Sequence, residues 1–222
     1  MDVIIHCAWP ARPPETNDSL ASYVENTVEL TCRLLEQPHD KFIFVSTAEV
    51  YPLQGHTGEE DQPIATERVR NLYAHTKLMA EALVRERGRN ALILRCTGLL
   101  GPTARPSSLI RILRENRHTL TLSLESRFCH VLHEDVTAFI LAAIERNLAG
   151  IYSLCSSESV TLGEVARSFG RNVSWEHSPT TSEWWTTERP RRFAPNSTEP
   201  RRTSIGSLGG IIFNDLFEHI RK

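Results

Sequence analysis

Three observations predict an α/β fold built on a doubly wound parallel sheet. Short apolar runs at 3–8, 41–45 and 91–95 have the unbroken hydrophobicity of strands buried on both faces. Longer segments of helical period lie between them. The resulting order of strand, helix, strand, helix, strand is the alternation a parallel sheet requires, since each crossover must carry the chain back to the starting end. With 222 residues, the chain can form one sizeable core, or one core and a small second lobe.

The elements follow in order. Val3-Ile4-Ile5-His6-Cys7-Ala8 is a strand bounded by Pro10, Pro13 and Pro14. The next segment is helical, and Leu20, Val24, Val28, Leu34 and Leu35 are expected to form its apolar stripe. Lys41 to Val45 is a second strand, ending at Ser46-Thr47-Ala48-Glu49. Residues 52–63, with Gly55, Gly58 and Asp61 between two prolines, read as a polar loop. A helix is expected from about Thr66 to Arg87, stopped by Gly88. Ala91 to Arg95 is the third strand, followed by the turn Gly98-Leu99-Leu100-Gly101-Pro102.

Beyond this point the pattern is shorter in period. Ser107 or Ser108 can cap a helix through Arg114, and Phe128 to Leu132 reads as a strand. Glu134-Asp135 open a helix to about Arg146, and Ile151 to Leu154 form a short strand. Thr161-Leu162-Gly163-Glu164 fits a capping box for a helix to Phe169. Residues 176–206, with Trp184-Trp185 and two Arg pairs, read as a long loop, and Ile212, Leu216, Phe217 and Ile220 as a terminal helix.

Composition excludes several classes. The 25 basic and 27 acidic residues balance, which gives no general attraction to nucleic acid or to a membrane surface. The five cysteines (Cys7, Cys32, Cys96, Cys129, Cys155) are odd in number and scattered, fitting reduced thiols rather than a disulfide frame. There is no C-x-x-C, and nothing around His130 and His133 completes a zinc site, so no metal is expected. With neither a signal-peptide pattern nor an apolar run of transmembrane length, the cytoplasm is the expected compartment.

The chemistry concentrates at Tyr73-Ala74-His75-Thr76-Lys77. A Tyr and a Lys four apart on a helix project from one face, and an ammonium beside a phenol favours the phenolate. The pair therefore suits proton transfer near neutral pH. With four Tyr and three Lys in the chain, only about 0.05 such pairs are expected by chance. Taken alone, the pair could equally be a surface Lys one turn past a half-buried Tyr. Likewise Thr47 could merely satisfy backbone at a strand end, and Glu49 could be a solvated strand-end carboxylate.

Six segments together resemble the NAD-dependent epimerase/dehydratase family, the extended short-chain dehydrogenase/reductases that act on nucleotide sugars. Asp2 to Ala8 resembles the D-x-V-I-H-x-A strand beside the cofactor, and Phe44 to Tyr51 resembles V-S-[ST]-x-x-V-Y. Tyr73 to Lys77 matches Y-x-x-x-K, and Leu94 to Pro102 resembles L-R-x-x-N-x-Y-G-P. His130 to Val136 and Gly150 to Val165 resemble two later blocks of the family, so that the likeness covers most of residues 1–170. It implies a Rossmann-like fold, with residues 1–105 in the dinucleotide-binding domain. Residues 106–222 would form mainly a small α/β substrate lobe, some segments returning to the core.

The resemblance also implies roles. Tyr73 would exchange a proton with the substrate oxygen, Lys77 would hold the nicotinamide ribose, and Thr47 would hydrogen-bond the reacting oxygen. Ala8, Cys96 and Thr97 would join Tyr73 and Lys77 in lining an NAD or NADP site. Glu49 would serve as base or substrate ligand, although the family's dehydratase acid is replaced by Ala48. Arg127 would meet a substrate phosphate. A nucleotide-sugar substrate and a homodimer are expected, with neither nucleic acid nor membrane as partner.

One departure is large. No G-x-x-G-x-x-G or G-x-G-x-x-G turn follows a strand anywhere in the sequence. Met1 stands where the family's fourth strand begins, so the expectation is an incomplete sheet without the first three strands, roughly 60 residues short. The first strand here would then be a bare apolar edge. The alternative reading is a non-catalytic sugar-nucleotide-binding or assembly subunit that has lost cofactor binding.

Overall fold

The computed structural model describes residues 1–10, 20–52, 58–114, 117–156 and 159–180, with the backbone alone over 117–121 and 173–180. The middle of the 52–63 loop, most of the 176–206 loop with Trp184-Trp185, and the expected terminal helix lie outside the described residues. The described chain divides into two units. Unit 1 comprises Met1–Cys96 and Phe139–Leu154; unit 2 comprises Thr97–Ala138 and the segment from Cys155.

Unit 1 is a four-stranded parallel sheet of β1 (Val3–His6), β2 (Lys41–Thr47), β3 (Leu92–Cys96) and β8 (Gly150–Leu154), in the order β1-β2-β3-β8. The predicted parallel α/β class is what the backbone forms. β2 and β3 are central, and six of the seven β2 residues and all five of β3 are buried. Phe42 and Phe44 of β2 and Ile93 of β3 pack on one face against Leu35, Ala80 and Val84 of the helices. β1 is an edge strand, and its Ile5 remains 45% exposed.

The first helical segment runs as α1 (Leu20–Val24), a π turn (Glu25–Glu29) and α2 (Leu30–Leu35). Its buried face differs from the expected stripe. Tyr23, Thr27, Thr31 and Leu35 face inward, while Leu20 and Val24 are exposed. The threonines can be buried because each hydroxyl donates to the carbonyl one turn back, Thr27 to Tyr23 at 2.8 Å and Thr31 to Thr27 at 2.9 Å.

The helix that carries the Tyr–Lys pair is shorter than expected. Thr66–Arg68 is an isolated 3₁₀ turn, and α3 runs Leu72–Arg87. Its start is set by Asn71, whose extended backbone and side-chain oxygen accept a 2.8 Å bond from the Ala74 N–H. Its end is set by Gly88, where a Cβ would lie 2.6 Å from the Val84 carbonyl oxygen. Here the need for glycine is steric, since its φ is −72°.

Unit 2 is assembled from smaller pieces. β4 (Gly98–Leu100) pairs in parallel with β7 (His130–Leu132), and β5 (Arg117–Leu122) with β10 (Asn172–Thr180). β6 (Arg127–Phe128) pairs antiparallel with β9 (Val160–Thr161). The turn expected at 98–102 therefore begins as a strand, and residues 176–180 belong to β10 rather than to a loop. Helices α4 (Ser108–Arg114) and α6 (Leu162–Ser168) enclose an aliphatic core of Leu100, Ile110, Ile112, Leu132, Leu162 and Val165. The predicted capping box of α6 is present: Glu164 N–H donates to Thr161 Oγ1 at 3.0 Å, and Thr161 N–H to Glu164 Oε2 at 2.7 Å. Helix α5 (His133–Glu145) lies in unit 2 through Ala138 and in unit 1 from Phe139.

Candidate active site

In an open parallel sheet, ligands gather beyond the carboxyl ends of the strands. Register places several sequence-predicted residues along that edge of unit 1. Thr47, the last residue of β2, lies opposite Cys96, the last of β3. His6 ends β1 opposite Phe44, and Ala8 follows it in an exposed position. Helix α3 brings Lys77 to the same edge, since its Nζ donates to the Val45 carbonyl of β2 at 2.6 Å.

The Lys77 ammonium is enclosed. It is 3% exposed and lies 4.0 Å from the centre of the Trp9 ring and 4.6 Å from that of Phe44. Both faces present π-electron density to the cation. Its charge is felt next door at His6, whose pKa is lowered to about 4 by burial and, secondarily, by Lys77. His6 Nε2 lies 3.0 Å from Thr31 Oγ1. Because the Thr31 hydroxyl proton is given to Thr27, His6 must donate here through Nε2–H, which leaves a bare lone pair on the buried Nδ1. At Cys7, partial burial of the thiol raises the pKa and the charge of Lys77 opposes that rise.

Tyr73 is half-buried one turn before Lys77 and packs against the core cluster that contains Trp9, Phe44 and Ala80. Thr47 is 8% exposed, and its Oγ1 accepts a 3.2 Å bond from the Glu49 N–H, capping the 3₁₀ turn Ala48–Val50. Its hydroxyl proton is not used in that contact. Glu49 is half-buried and accepts a 3.0 Å bond from the Asn71 side-chain amide. Asn71 thus caps α3 with its oxygen and holds Glu49 with its nitrogen. Arg70 loses basicity through burial, partly restored by the charge of Glu49.

Beneath this edge lies a buried polar network that sequence reasoning missed. Glu81, one turn beyond Lys77, accepts from Ser46 Oγ at 2.6 Å and from Arg95 Nη2 at 2.8 Å. Glu81 is 1% exposed and Arg95 4%, and the guanidinium stacks 4.8 Å from the Tyr51 ring centre. Burial works against the Arg95 charge, but the hydrogen bond and charge of Glu81 outweigh it and raise the pKa. The available signals were an arginine inside an otherwise apolar strand and a glutamate at i+4 from Lys77. Asn71 was legible too, as an N-cap residue three before Ala74.

The remaining predicted residues are placed as follows. Cys96 is 3% exposed, so its thiol is packed within the protein. Thr97 and Arg127 belong to unit 2. Arg127 is half-buried on β6 and helps to hold the Glu164 carboxyl below its ordinary range, an effect led by the bonds from Thr161. Among the described residues no three His, Cys, Asp or Glu side chains gather as a metal site, and no helix is long and apolar enough to cross a membrane.

The donor set fits the ribose end of a nicotinamide nucleotide. A phenol, an ammonium and a hydroxyl are donor types suited to ribose and substrate oxygens, the ammonium being enclosed here by Trp9 and Phe44. The sequence carries no Gly-rich turn for a pyrophosphate, so the fit is confined to that end.

Comparison with known proteins bears on the fold and the family. Among solved structures, the fold is similar to an NAD-dependent NDP-hexosamine 5,6-dehydratase, TunA, of tunicamycin biosynthesis. That match has a TM-score of 0.70 and 22% identity over 99% of this chain and 75% of that one. The UDP-glucuronic acid 4-epimerase of Bacillus cereus, solved with NAD, aligns with a TM-score of 0.62 and 22% identity over 82% of this chain and 70% of that one. RMD of Pseudomonas aeruginosa, solved with NADPH, aligns with a TM-score of 0.64 and 20% identity over 99% and 80%. No curated protein sequence matches the chain. The family model of the NAD-dependent epimerase/dehydratases matches residues 1–155, and the chain belongs to that family.

Proposed function

We propose that this protein performs nicotinamide-dependent redox chemistry on a nucleotide sugar, as an epimerase, reductase or dehydratase. The observation that carries this reading is the convergence of Lys77, Thr47 and Ala8 at the carboxyl edge of the sheet, with Tyr73 one turn before Lys77 on α3. The family and the fold of its relatives support it.

Bound NAD or NADP would supply or accept a hydride. Tyr73 is the proton carrier, taking a proton from a sugar hydroxyl or returning one to a carbonyl oxygen. Lys77, one turn along α3 from Tyr73, holds the ribose. Thr47 donates its free hydroxyl proton to the same reacting oxygen. Glu49, fixed by Asn71, is the base or substrate ligand. Ala48 cannot donate a proton, so any elimination draws its acid from another group. Ala8, Cys96 and Thr97 line the cofactor, the buried Cys96 through its backbone, and Arg127 meets a substrate phosphate. In this reading residues 1–105 form the cofactor half and 106–222 mainly the substrate lobe of a cytoplasmic homodimer.

The enclosure of Lys77 gives a second reading some support: a sugar-nucleotide-binding subunit without turnover. Assays with UDP-glucuronic acid and dTDP-4-dehydrorhamnose, with NAD(H) and NADP(H), distinguish the two. Tyr73→Phe should lower turnover by at least ~10²-fold while leaving cofactor affinity within about twofold. Nucleotide-sugar binding with no turnover by the wild type would favour the second reading.

A further inference from the structure

Lys77 is covered by an aromatic side chain for which neither the family motif nor the redox reading has a use. Trp9 follows Ala8 directly, where β1 has ended, and its indole is 8% exposed. It packs against Phe44 at 5.7 Å and His6 at 6.0 Å between ring centres, with its face 4.0 Å from the ammonium. Lys77 Nζ also donates to the Val45 carbonyl at 2.6 Å, so β2 and Trp9 both contact the charge.

A buried ammonium is costly unless its charge is matched. The Val45 carbonyl dipole and the faces of Trp9 and Phe44 contribute to that match here, and His6 is neutral at physiological pH and aims Nε2–H at Thr31. An indole gives the strongest cation–π contact of the natural side chains, stronger than phenyl. With Lys77 3% exposed, little of its ammonium is open to an incoming oxygen.

We propose that Trp9 is a positioning residue for Lys77: it holds the ammonium against β2 and must swing away before a ligand oxygen can reach it. The identity of that ligand, the ribose of a nicotinamide nucleotide, rests on the functional reading above. The part played by Trp9 rests on the packing alone.

The chain has only three lysines, which makes amine acylation a direct probe of the cover. With limiting acetic anhydride and peptide mass analysis, Lys77 should react slowly in the wild type. Lys41, which is 0% exposed, gives the fully protected reference, and the amine of the 67% exposed Met1 the reactive one. Trp9→Leu, which keeps an apolar side chain but has no π face, should speed Lys77 acylation by about tenfold or more. Trp9→Phe, which keeps a π face, should restore most of the protection. Continued protection of Lys41 shows that each variant is folded.

Equal rates at Lys77 in the wild type and Trp9→Leu, or equal rates in Trp9→Leu and Trp9→Phe, overturn the proposal. A second arm uses protein labelled with 5-fluorotryptophan, the Trp9 resonance being identified by its loss in Trp9→Phe. Saturation with nicotinamide mononucleotide should move that resonance toward the solvent-exposed position. Measurable binding with the resonance unmoved also overturns the proposal. If no nicotinamide nucleotide binds, the functional reading fails, and the acylation rates still decide the role of Trp9.

Discussion

The two units bury different things. Unit 1 encloses Lys41, Lys77, Glu81, Arg95 and His6 among its aromatic and aliphatic residues. Unit 2, among its described residues, buries an aliphatic core, the hydroxyl side chains Ser123, Ser126 and Thr161 and the neutral ring of His130, but no charged side chain. A hydroxyl is satisfied by one local bond, as Thr161 is by its capping box. A buried charge demands several directed partners, and those partners fix geometry. In unit 1 they fix α3. Ser46, Val45 and Arg95 draw Glu81 and Lys77 onto β2 and β3, so the helix that carries Tyr73 is held in one register against the strands.

This contrast predicts a ranking of substitutions, measured by urea unfolding. The largest effect belongs to the buried ion pair. Arg95→Met leaves the Glu81 carboxylate without its cation and should cost about 3–5 kcal/mol. The double variant Arg95→Met with Glu81→Met should recover much of that loss. Failure to recover would mean that the pair is worth more than its desolvation. Unit 2 should answer to volume instead, with Ile112→Ala costing about 2–4 kcal/mol through the cavity left in its core.

Smaller effects sharpen the comparison. A Cβ at Gly98 would meet His130 Cδ2 at 2.8 Å, so the imidazole must shift to admit it. Gly98→Ala should therefore cost about 1–3 kcal/mol as an overpacking effect. In unit 1, Asn71→Ala should cost about 1 kcal/mol through the lost cap, whereas Asn71→Ser keeps the cap and should cost only a few tenths. Either change frees Glu49, so a drop in turnover shared by both would separate the carboxylate's position from helix stability.

The two units share one pH response. His6 and His130 are both held neutral, with pKa lowered to about 4 from the ordinary 6.5, by burial in each case and for His6 also by Lys77. Below 6.5 the unfolded chain takes up protons that the folded chain refuses until about 4, so stability falls as pH drops through that window. His6→Gln, which can still donate to Thr31, should flatten the His6 share of the slope. An unchanged slope in acid titrations of stability would remove His6 from this account.

The main architecture was legible because it rests on repetition. Apolar runs such as Lys41–Val45 and Ala91–Arg95 have one stable placement in an α/β protein, and Tyr73 and Lys77 four apart on a helix share a face whatever lies around them. The misreadings arose where polar atoms find partners that composition does not display. Thr27 and Thr31 join Tyr23 and Leu35 on the buried face of the first helical segment because their hydroxyls reach back along its own backbone, while Leu20 and Val24 of the expected stripe stay exposed. The start of α3 followed Asn71 and not the helical period. Trp9 gave no sequence signal of its role, since its partner Lys77 is 68 residues away and the two meet only once α3 docks on β2.

The central claim is that Lys77 and Tyr73 form the nicotinamide-ribose and proton-handling end of a redox site. Titration of the purified chain with NADH and NADPH, followed by nicotinamide fluorescence, tests it most directly. The account predicts a saturable signal that Lys77→Met weakens by about tenfold or more and Tyr73→Phe leaves nearly unchanged. No saturable signal with either nucleotide, or one that Lys77→Met does not alter, would contradict it.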